Sequence, residues 1–286
     1  MINTKSTLRT LIAGAFLTIA ASASAAPGTF TVDPTANGLA KPIPGVTSAQ
    51  QFQANTIKGE SSARIELIAG SSNRYTSTGY IRYDAFSNNN GTTSNNVGAL
   101  TSMLNAGAFG YNLYATFKQT FTCGSALGTD VSCAIDSISL SLFGDSGSDS
   151  IFNSASLTQA ASVTAVGTQV LLGEVTSIVN GSAGINKEGG AFQNVNTNFA
   201  LTAEGANFFI APDPFYTAAF SAFNNTSQGL TCLPNCAAPT IVAINQEGGI
   251  TDFNSLPPTE VPEPGSLALL GLGLLGLSTY RRRTQK

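Results

Sequence analysis

The chain has 286 residues, of which only 10% are charged, and it contains no histidine and no tryptophan. Between residues 33 and 263, seven basic residues stand against 16 acidic ones, a net charge of −9 that argues against a nucleic-acid partner. Without histidine, the chain lacks the usual general base of serine hydrolases and the histidine ligand of most zinc sites. We therefore predict a protein that is not an enzyme and that needs no cofactor.

The first 25 residues have the parts of a secretory signal peptide. Two basic residues precede a ten-residue apolar core, Leu11–Ala20, and Ala23 and Ala25 occupy the −3 and −1 positions of a signal-peptidase site. A buried N-terminal helix is the alternative, but it does not explain the small residues that follow the core. We predict that residues 1–25 are removed and that the protein leaves the cytoplasm.

Residues 26–258 show a hydrophobic period of two. In Ser137–Phe143, Ile138, Leu140 and Leu142 alternate with serines, which is typical of a strand with one solvated face. Seven further segments have similar β-branched and aromatic content and are separated by turn sequences: ARIELIAG, TGYIRYDAF, YNLYATFKQTFTC, TQVLLGEVTSIV, NTNFALTA, FYTAAFSAF and TIVAIN. We expect about nine or ten strands, and hence a mainly β fold with a single β-sandwich or jelly-roll-like domain over residues 26–258.

Two local patterns depart from this alternation. Val97, Leu100, Met103 and Leu104 have the spacing of one face of a short helix. The segments INKEGGAFQNVN and INQEGGITDFN also resemble each other, and either two equivalent hairpins or chance explains the similarity.

Four cysteines occur in the predicted exported body: Cys123, Cys133, Cys232 and Cys236. An even number in an oxidising compartment favours disulfides, and of the three possible connectivities the two local pairs are the simplest. A zinc site is the alternative, but neither spacing is that of a zinc-binding knuckle. No metal site is predicted from the cysteines.

The segment FGDSGSD contains the letters GDSG, as in the nucleophile loop of chymotrypsin-like proteases. Without a histidine to accept its proton, Ser146 is predicted to be a turn residue. Asp145 and Asp149 are weak candidates for calcium ligands, because two carboxylates stand within five residues. A solvated turn is the alternative for both.

The C-terminal region has the sequence features of a membrane-anchoring segment. The run GLGLLG matches a dinucleotide-binding fingerprint in its letters, but no second strand and no downstream acidic residue can follow it. Ser266–Tyr280 is an uncharged stretch of 15 residues, about 22 Å as a helix, and three arginines, Arg281, Arg282 and Arg283, follow it. We predict a short transmembrane helix over residues 266–280 and a basic end over residues 281–286.

Residues 259–286 resemble the PEP-CTERM sorting signal, in which a Pro-Glu-Pro motif, a short apolar span and a basic end follow one another. The resemblance implies that Pro262, Glu263 and Pro264 are recognised by an exosortase, a membrane transpeptidase-like enzyme. It also implies transient membrane anchoring with a cytoplasmic C-terminus before processing, and Arg281–Arg283 as the stop anchor. The mature protein is then expected to be secreted or held at the cell surface.

Parts of the body resemble the flocculation-associated PEP-CTERM proteins, which are exported matrix proteins of floc-forming bacteria. The similarity lies in GTFTVDP, YNLYATF, SLSLFGD and NFALTAEGANFFIAPDPFYTAAF. It implies a role in cell aggregation, with exopolysaccharide or another surface polymer as partner and with possible self-association. A surface-displayed carbohydrate-active hydrolase and a surface-layer subunit are the alternatives.

The last of these segments also supplies candidate sugar-binding aromatic residues. A stacking platform for sugar rings would use Phe208, Phe209, Phe215 and Tyr216. Packing in the core of the domain is the competing interpretation, and the sequence favours it.

Overall fold

The described part of the chain consists almost entirely of antiparallel strands. The computed structural model describes residues 27–41, 51–88, 110–225 and 229–255. Its strands are β1 (Phe30–Val32), β2 (Phe52–Ala54), β3 (Thr56–Leu67), β4 (Arg74–Ser87), β5 (Tyr111–Cys123), β6 (Val131–Ser146), β7 (Ile151–Asn153), β8 (Ser162–Thr164), β9 (Gln169–Ile185), β10 (Ala191–Leu201), β11 (Phe209–Ala211), β12 (Ala218–Asn224), β13 (Leu230–Leu233) and β14 (Ile241–Asn254). A helix, α1 (Ala203–Phe208), and a 3₁₀ turn at Ala36–Gly38 accompany them. The mainly β prediction is confirmed.

Eight of these strands form one sheet that closes on itself. Their order is β12-β10-β9-β6-β5-β4-β3-β14, and β14 pairs back with β12 along Ala218–Asn224. A sandwich or jelly roll, which the sequence predicted, would have two sheets packed face to face. The structure instead has a barrel-like closed sheet, because β14 pairs with β3 along one edge and with β12 along the other. We call it the closed sheet below.

Alternation along the strands decides which side chains fill the closed sheet. On β5, Leu113, Ala115 and Phe117 are buried, whereas Lys118 is exposed on the opposite face. On β6, the predicted alternation within Ser137–Phe143 falls inside the strand. The pairing of β6 with β9 is interrupted between Ala134 and Ser141, although each strand stays paired with its other neighbour there.

One end of the closed sheet is covered by a small second sheet and by α1. The small sheet has the order β11-β1-β2, and its Phe30 packs edge-on against Phe209 and Phe253. Thr202 is the N-cap of helix α1. Its hydroxyl accepts a hydrogen bond from the Gly205 backbone N–H at 3.0 Å. Gly205 cannot carry a side chain, because a Cβ atom there would overlap the carbonyl of Leu172.

A two-stranded hairpin, β7 and β8, packs on the outside of the closed sheet. Its Phe152 ring lies 5.2 Å from the Tyr80 ring and 5.6 Å from the Tyr114 ring, centroid to centroid. Ala155 is buried beside them, and its backbone N–H donates to the Ser62 hydroxyl at 2.9 Å. This hairpin therefore covers the face formed by β3, β4 and β5.

The two similar segments noted in the sequence are not structurally equivalent. The first forms the turn between β9 and β10, where the backbone N–H of Asn186 donates to the carbonyl of Gly190 at 2.8 Å. The second lies within β14 and contains a bulge at Gln246, whose φ is 58°. The interpretation as two equivalent hairpins is wrong, since only one of them turns the chain.

Candidate functional site

Asp145, a weak calcium candidate, lies at the end of β6 and is fully buried. Its carboxylate accepts hydrogen bonds from Asn112 Nδ2 at 3.1 Å, Gln169 Nε2 at 2.8 Å and the Ser150 backbone N–H at 3.0 Å. Asp149, the other candidate, is exposed. The Asp145 carboxylate thus joins β5 and β6 to the start of β9, and within the described ranges no three Cys, Asp or Glu residues form a metal-binding group.

Ser146 also has a structural role. Its hydroxyl donates to the carbonyl of Gly38 at 3.1 Å, and its backbone N–H donates to the carbonyl of Thr168 at 3.3 Å. The chain then turns at Gly147 and Ser148, which have φ values of 90° and 56°. Ser146 is thus the last residue of β6 and directly precedes the turn in which the sequence predicted it to lie.

The four aromatic residues proposed as a platform divide into two pairs. Phe208 and Phe209 are buried in the core, whereas Phe215 and Tyr216 are half-buried at its edge. The Tyr216 hydroxyl donates to the carbonyl of Thr29 at 2.9 Å, which fixes the segment against the N-terminal strand. The core-packing interpretation is therefore confirmed for the first pair, while the second pair remains accessible to solvent.

A cleft of about 360 Å³ lies where β10 ends, between α1 and the segment that follows β11. This is within the size range of small-molecule binding sites. Its lining residues come from one stretch of the chain: Leu201, Ala206, Asn207, Phe209, Ile210, Pro212, Asp213 and Phe215. We call it the α1 cleft.

The polar groups of the α1 cleft are few and accessible. Asn207 and Asp213 are exposed, and the Asp213 carboxylate has no hydrogen bond or ion pair to any described residue. Behind them, the Phe215 ring packs against Phe209 and Phe253, with centroid distances of 5.2 Å in both cases. The cleft thus presents a rigidly supported aromatic ring beside one free carboxylate and one amide.

The closed sheet contains a buried carboxyl group that sequence reasoning missed. The bulge at Gln246 shifts the alternation of β14 and turns Glu247 inward, where the Ser61 hydroxyl donates to its Oε2 at 2.7 Å. Burial raises the pKa of Glu247 to about 7, and the Ser61 hydrogen bond offsets part of that rise. The only signal in the sequence was the glycine pair that follows this glutamate, which is compatible with a bulge.

The space beside Glu247 is small. Gln119 and Gln193 lie across it, with Gln119 Nε2 donating to Gln193 Oε1 at 2.6 Å. About 20 Å³ is left there, which is enough for one water molecule and not for a sugar ring. The interior of the closed sheet at this level is therefore not a site for an organic ligand.

Both local disulfides are present. Cys123–Cys133 joins directly opposed residues of β5 and β6 and is buried, with each residue 2% exposed. Cys232–Cys236 closes the turn after β13 at the periphery and is half-buried. The predicted pairing is confirmed.

The remaining sequence predictions fall outside the described residues. They comprise the signal-peptidase site at Ala23 and Ala25, the helix over residues 97–104 and the tail over residues 259–286. None of the helices in the described part of the chain has the length and apolar character needed to cross a membrane.

Comparison with protein families finds one match, the PEP-CTERM protein-sorting motif at residues 260–283. The matched segment contains the proposed recognition residues, Pro262, Glu263 and Pro264, together with the three arginines. Curated proteins and solved structures give no significant match. The motif implies recognition by an exosortase and an exported cell-surface protein that is processed at the membrane.

Proposed function

From the premise that this chain is a PEP-CTERM sorting domain-containing protein, we propose that it is a non-enzymatic matrix protein promoting bacterial aggregation with exopolysaccharide. The sorting motif carries this proposal, because it directs the chain to the surface where cells meet. The resemblance of the body to flocculation-associated proteins supplies the role there.

Two features of the body support a structural role outside the cell. The two disulfides suit an oxidising compartment, and the buried one joins the strands of the closed sheet. The hydroxyl of Ser146, which the GDSG letters suggested as a nucleophile, instead donates to the Gly38 carbonyl. Asp145 beside it is held by three neutral donors, so this loop stabilises the fold.

The closed sheet also limits how copies of the protein associate. Pairing of exposed strand edges is a common route to association between β proteins. Because β12 and β14 pair with each other, these strands do not offer free edges along Ala218–Asn224. Cohesion through these two strands is therefore expected to use side-chain surfaces and a bound polymer, whereas, among the described strands, β2 and β13 each pair on one side only.

The test is deletion of the gene in the producing bacterium, scored by settling and microscopy. Complementation uses the full-length protein, Glu263→Ala in the sorting motif, and Glu188→Ala as a matched control in the exposed turn between β9 and β10. We expect dispersed growth after deletion and restored flocs with the full-length and Glu188→Ala forms only. The Glu263→Ala protein should accumulate in the membrane fraction without processing.

Three results would contradict the proposal. Flocs that persist after deletion would remove aggregation as the function while leaving the sorting of the protein intact. Release of reducing ends from the bacterium's own polymer by purified protein would favour the hydrolase. Ordered arrays of purified protein in electron micrographs would favour a surface-layer subunit.

A further inference from the structure

We propose that the α1 cleft is a binding site for a neutral pyranose unit of an extracellular polysaccharide. This inference rests on the proposed function for its biological context, and on the cleft for its chemistry. The cleft combines a sugar-sized volume with an aromatic ring and unpaired polar groups.

The shape of the cleft suits one or two sugar rings. Its volume of about 360 Å³ exceeds the space beside Glu247 many times over. The Phe215 ring forms part of the wall, and Phe209 and Phe253 support that ring from behind. A pyranose presents a flat face of C–H groups, which packs against an aromatic ring without a large entropic cost when the ring is already fixed.

The polar groups of the α1 cleft can form hydrogen bonds with the hydroxyl groups of a sugar. The Asp213 carboxylate accepts hydrogen bonds only, and no described residue uses this capacity. The Asn207 side chain is held only by a long contact, 3.5 Å from its Nδ2 to Asn37 Oδ1, so its carbonyl oxygen stays available beside the cleft. A carboxylate and an amide that line the same cleft can bind sugar hydroxyls, each of which donates one hydrogen bond and accepts another.

The charge of the cleft selects against acidic sugars. Asp213 is the only charged residue among the lining residues, and none of them is Lys or Arg. A uronate or sulfated sugar would place a second negative charge beside Asp213 without a cation to compensate it. The bound unit is therefore neutral.

The experiment is affinity electrophoresis of the purified, disulfide-bonded body in gels that contain the bacterium's own exopolysaccharide. That polymer is first separated by anion exchange into a neutral and an acidic fraction. The variants are Asp213→Ala and Asn207→Ala, with Asp149→Ala as a control, because Asp149 is an exposed aspartate outside the cleft. Thermal unfolding of each variant shows that the fold is retained.

We expect the neutral fraction to retard the wild-type and Asp149→Ala proteins equally. The Asp213→Ala protein should bind at least about tenfold more weakly, since a hydrogen bond to a charged group is lost. Retardation by the acidic fraction alone, by neither fraction, or equally for wild type and Asp213→Ala would overturn the site. If the purified protein binds the neutral fraction but deletion of the gene causes no floc defect, the proposed function is refuted and the binding site is retained.

Discussion

The Ser61 hydroxyl donates a 2.7 Å hydrogen bond to Oε2 of Glu247 inside the closed sheet, and only 5% of Glu247 is exposed. The carboxyl group is therefore buried inside the closed sheet, across from Gln119 and Gln193, with Ser61 as its single described donor. Its pKa is raised from 4.5 to about 7 because burial disfavours the charged form.

This arrangement predicts that the protein is more stable in mild acid than in mild alkali. Below its unfolded-state pKa, Glu247 is protonated in both states. As the pH rises, the unfolded carboxyl ionises first, so stability falls until the folded group ionises near pH 7. The pKa difference corresponds to about 3 kcal/mol in the free energy of unfolding, measured by urea denaturation at about pH 4 and pH 8.

The matched variant is Glu247→Gln, which keeps the shape and removes the charge. It should lose about half of the pH dependence that Glu247 and Asp252 contribute together, and it should be more stable than wild type at about pH 8. Asp252, whose pKa burial raises to about 6, contributes in the same direction in both proteins. Parallel pH profiles for the variant and the wild type would show that Glu247 is not the responsible group.

The two disulfides are expected to differ in accessibility and in their contribution to stability. Replacing Cys123 and Cys133 by alanine should lower the free energy of unfolding by about 3 kcal/mol, and the same change at Cys232 and Cys236 by about 2 kcal/mol, because the second loop is shorter. Under mild reductant, alkylation followed by mass spectrometry should label the half-buried pair first. Labelling of the buried Cys123 first would contradict the burial seen here.

The aromatic cluster predicts unequal losses of stability for two substitutions in the same segment. Phe209→Ala should destabilise the fold by about 3–5 kcal/mol, because its ring packs against Phe30, Phe215 and Phe253. Tyr216→Phe removes only the hydrogen bond to Thr29 and should cost about 1 kcal/mol. Urea unfolding of both variants measures the loss in the free energy of unfolding. Similar losses for the two variants would mean that the cluster is not part of the core.

The Asp145 carboxylate should stabilise the fold without calcium. Asp145→Ala leaves the buried Asn112 amide and the Ser150 backbone N–H without this acceptor and should cost about 3 kcal/mol, whereas Asp149→Ala at the exposed site should cost less than about 0.5 kcal/mol. Calorimetry of the wild-type protein should give the same midpoint with calcium and with a chelator. An unfolding midpoint that rises with calcium would contradict this prediction. It would indicate a calcium site formed by groups other than the described carboxylates.

Local patterns in the sequence predicted the strands well, but not how they are arranged. Each of the eight strands of the closed sheet contains a segment that alternation or β-branched content identified, such as Ser137–Phe143 in β6. Closure depends on the pairing of β12 with β14, which no local period encodes. The inward direction of Glu247 depends on one extra residue, Gln246, and a shift of one residue moves a side chain to the other face.

The α1 cleft could not be predicted from the sequence for a similar reason. Helix α1 has only six residues, Ala203–Phe208, and follows β10 almost directly, so it has no long period to reveal it. The aromatic residues of this segment were identified, but the sequence could not separate buried Phe209 from half-buried Phe215. Phe209 lies in β11, which pairs with β1 from far away in the chain, whereas Phe215 lies in the segment that follows β11.

The order of the strands ties folding of the body to its passage across the membrane. Strand β3, near the start of the body, pairs with β14 along Thr56–Glu66, and β14 ends at Asn254. A chain that is threaded N-terminus first leaves β3 without this neighbour until nearly the whole body has emerged. Closure of the sheet therefore requires nearly the whole body, and the sorting motif at 260–283 follows β14 within a few residues.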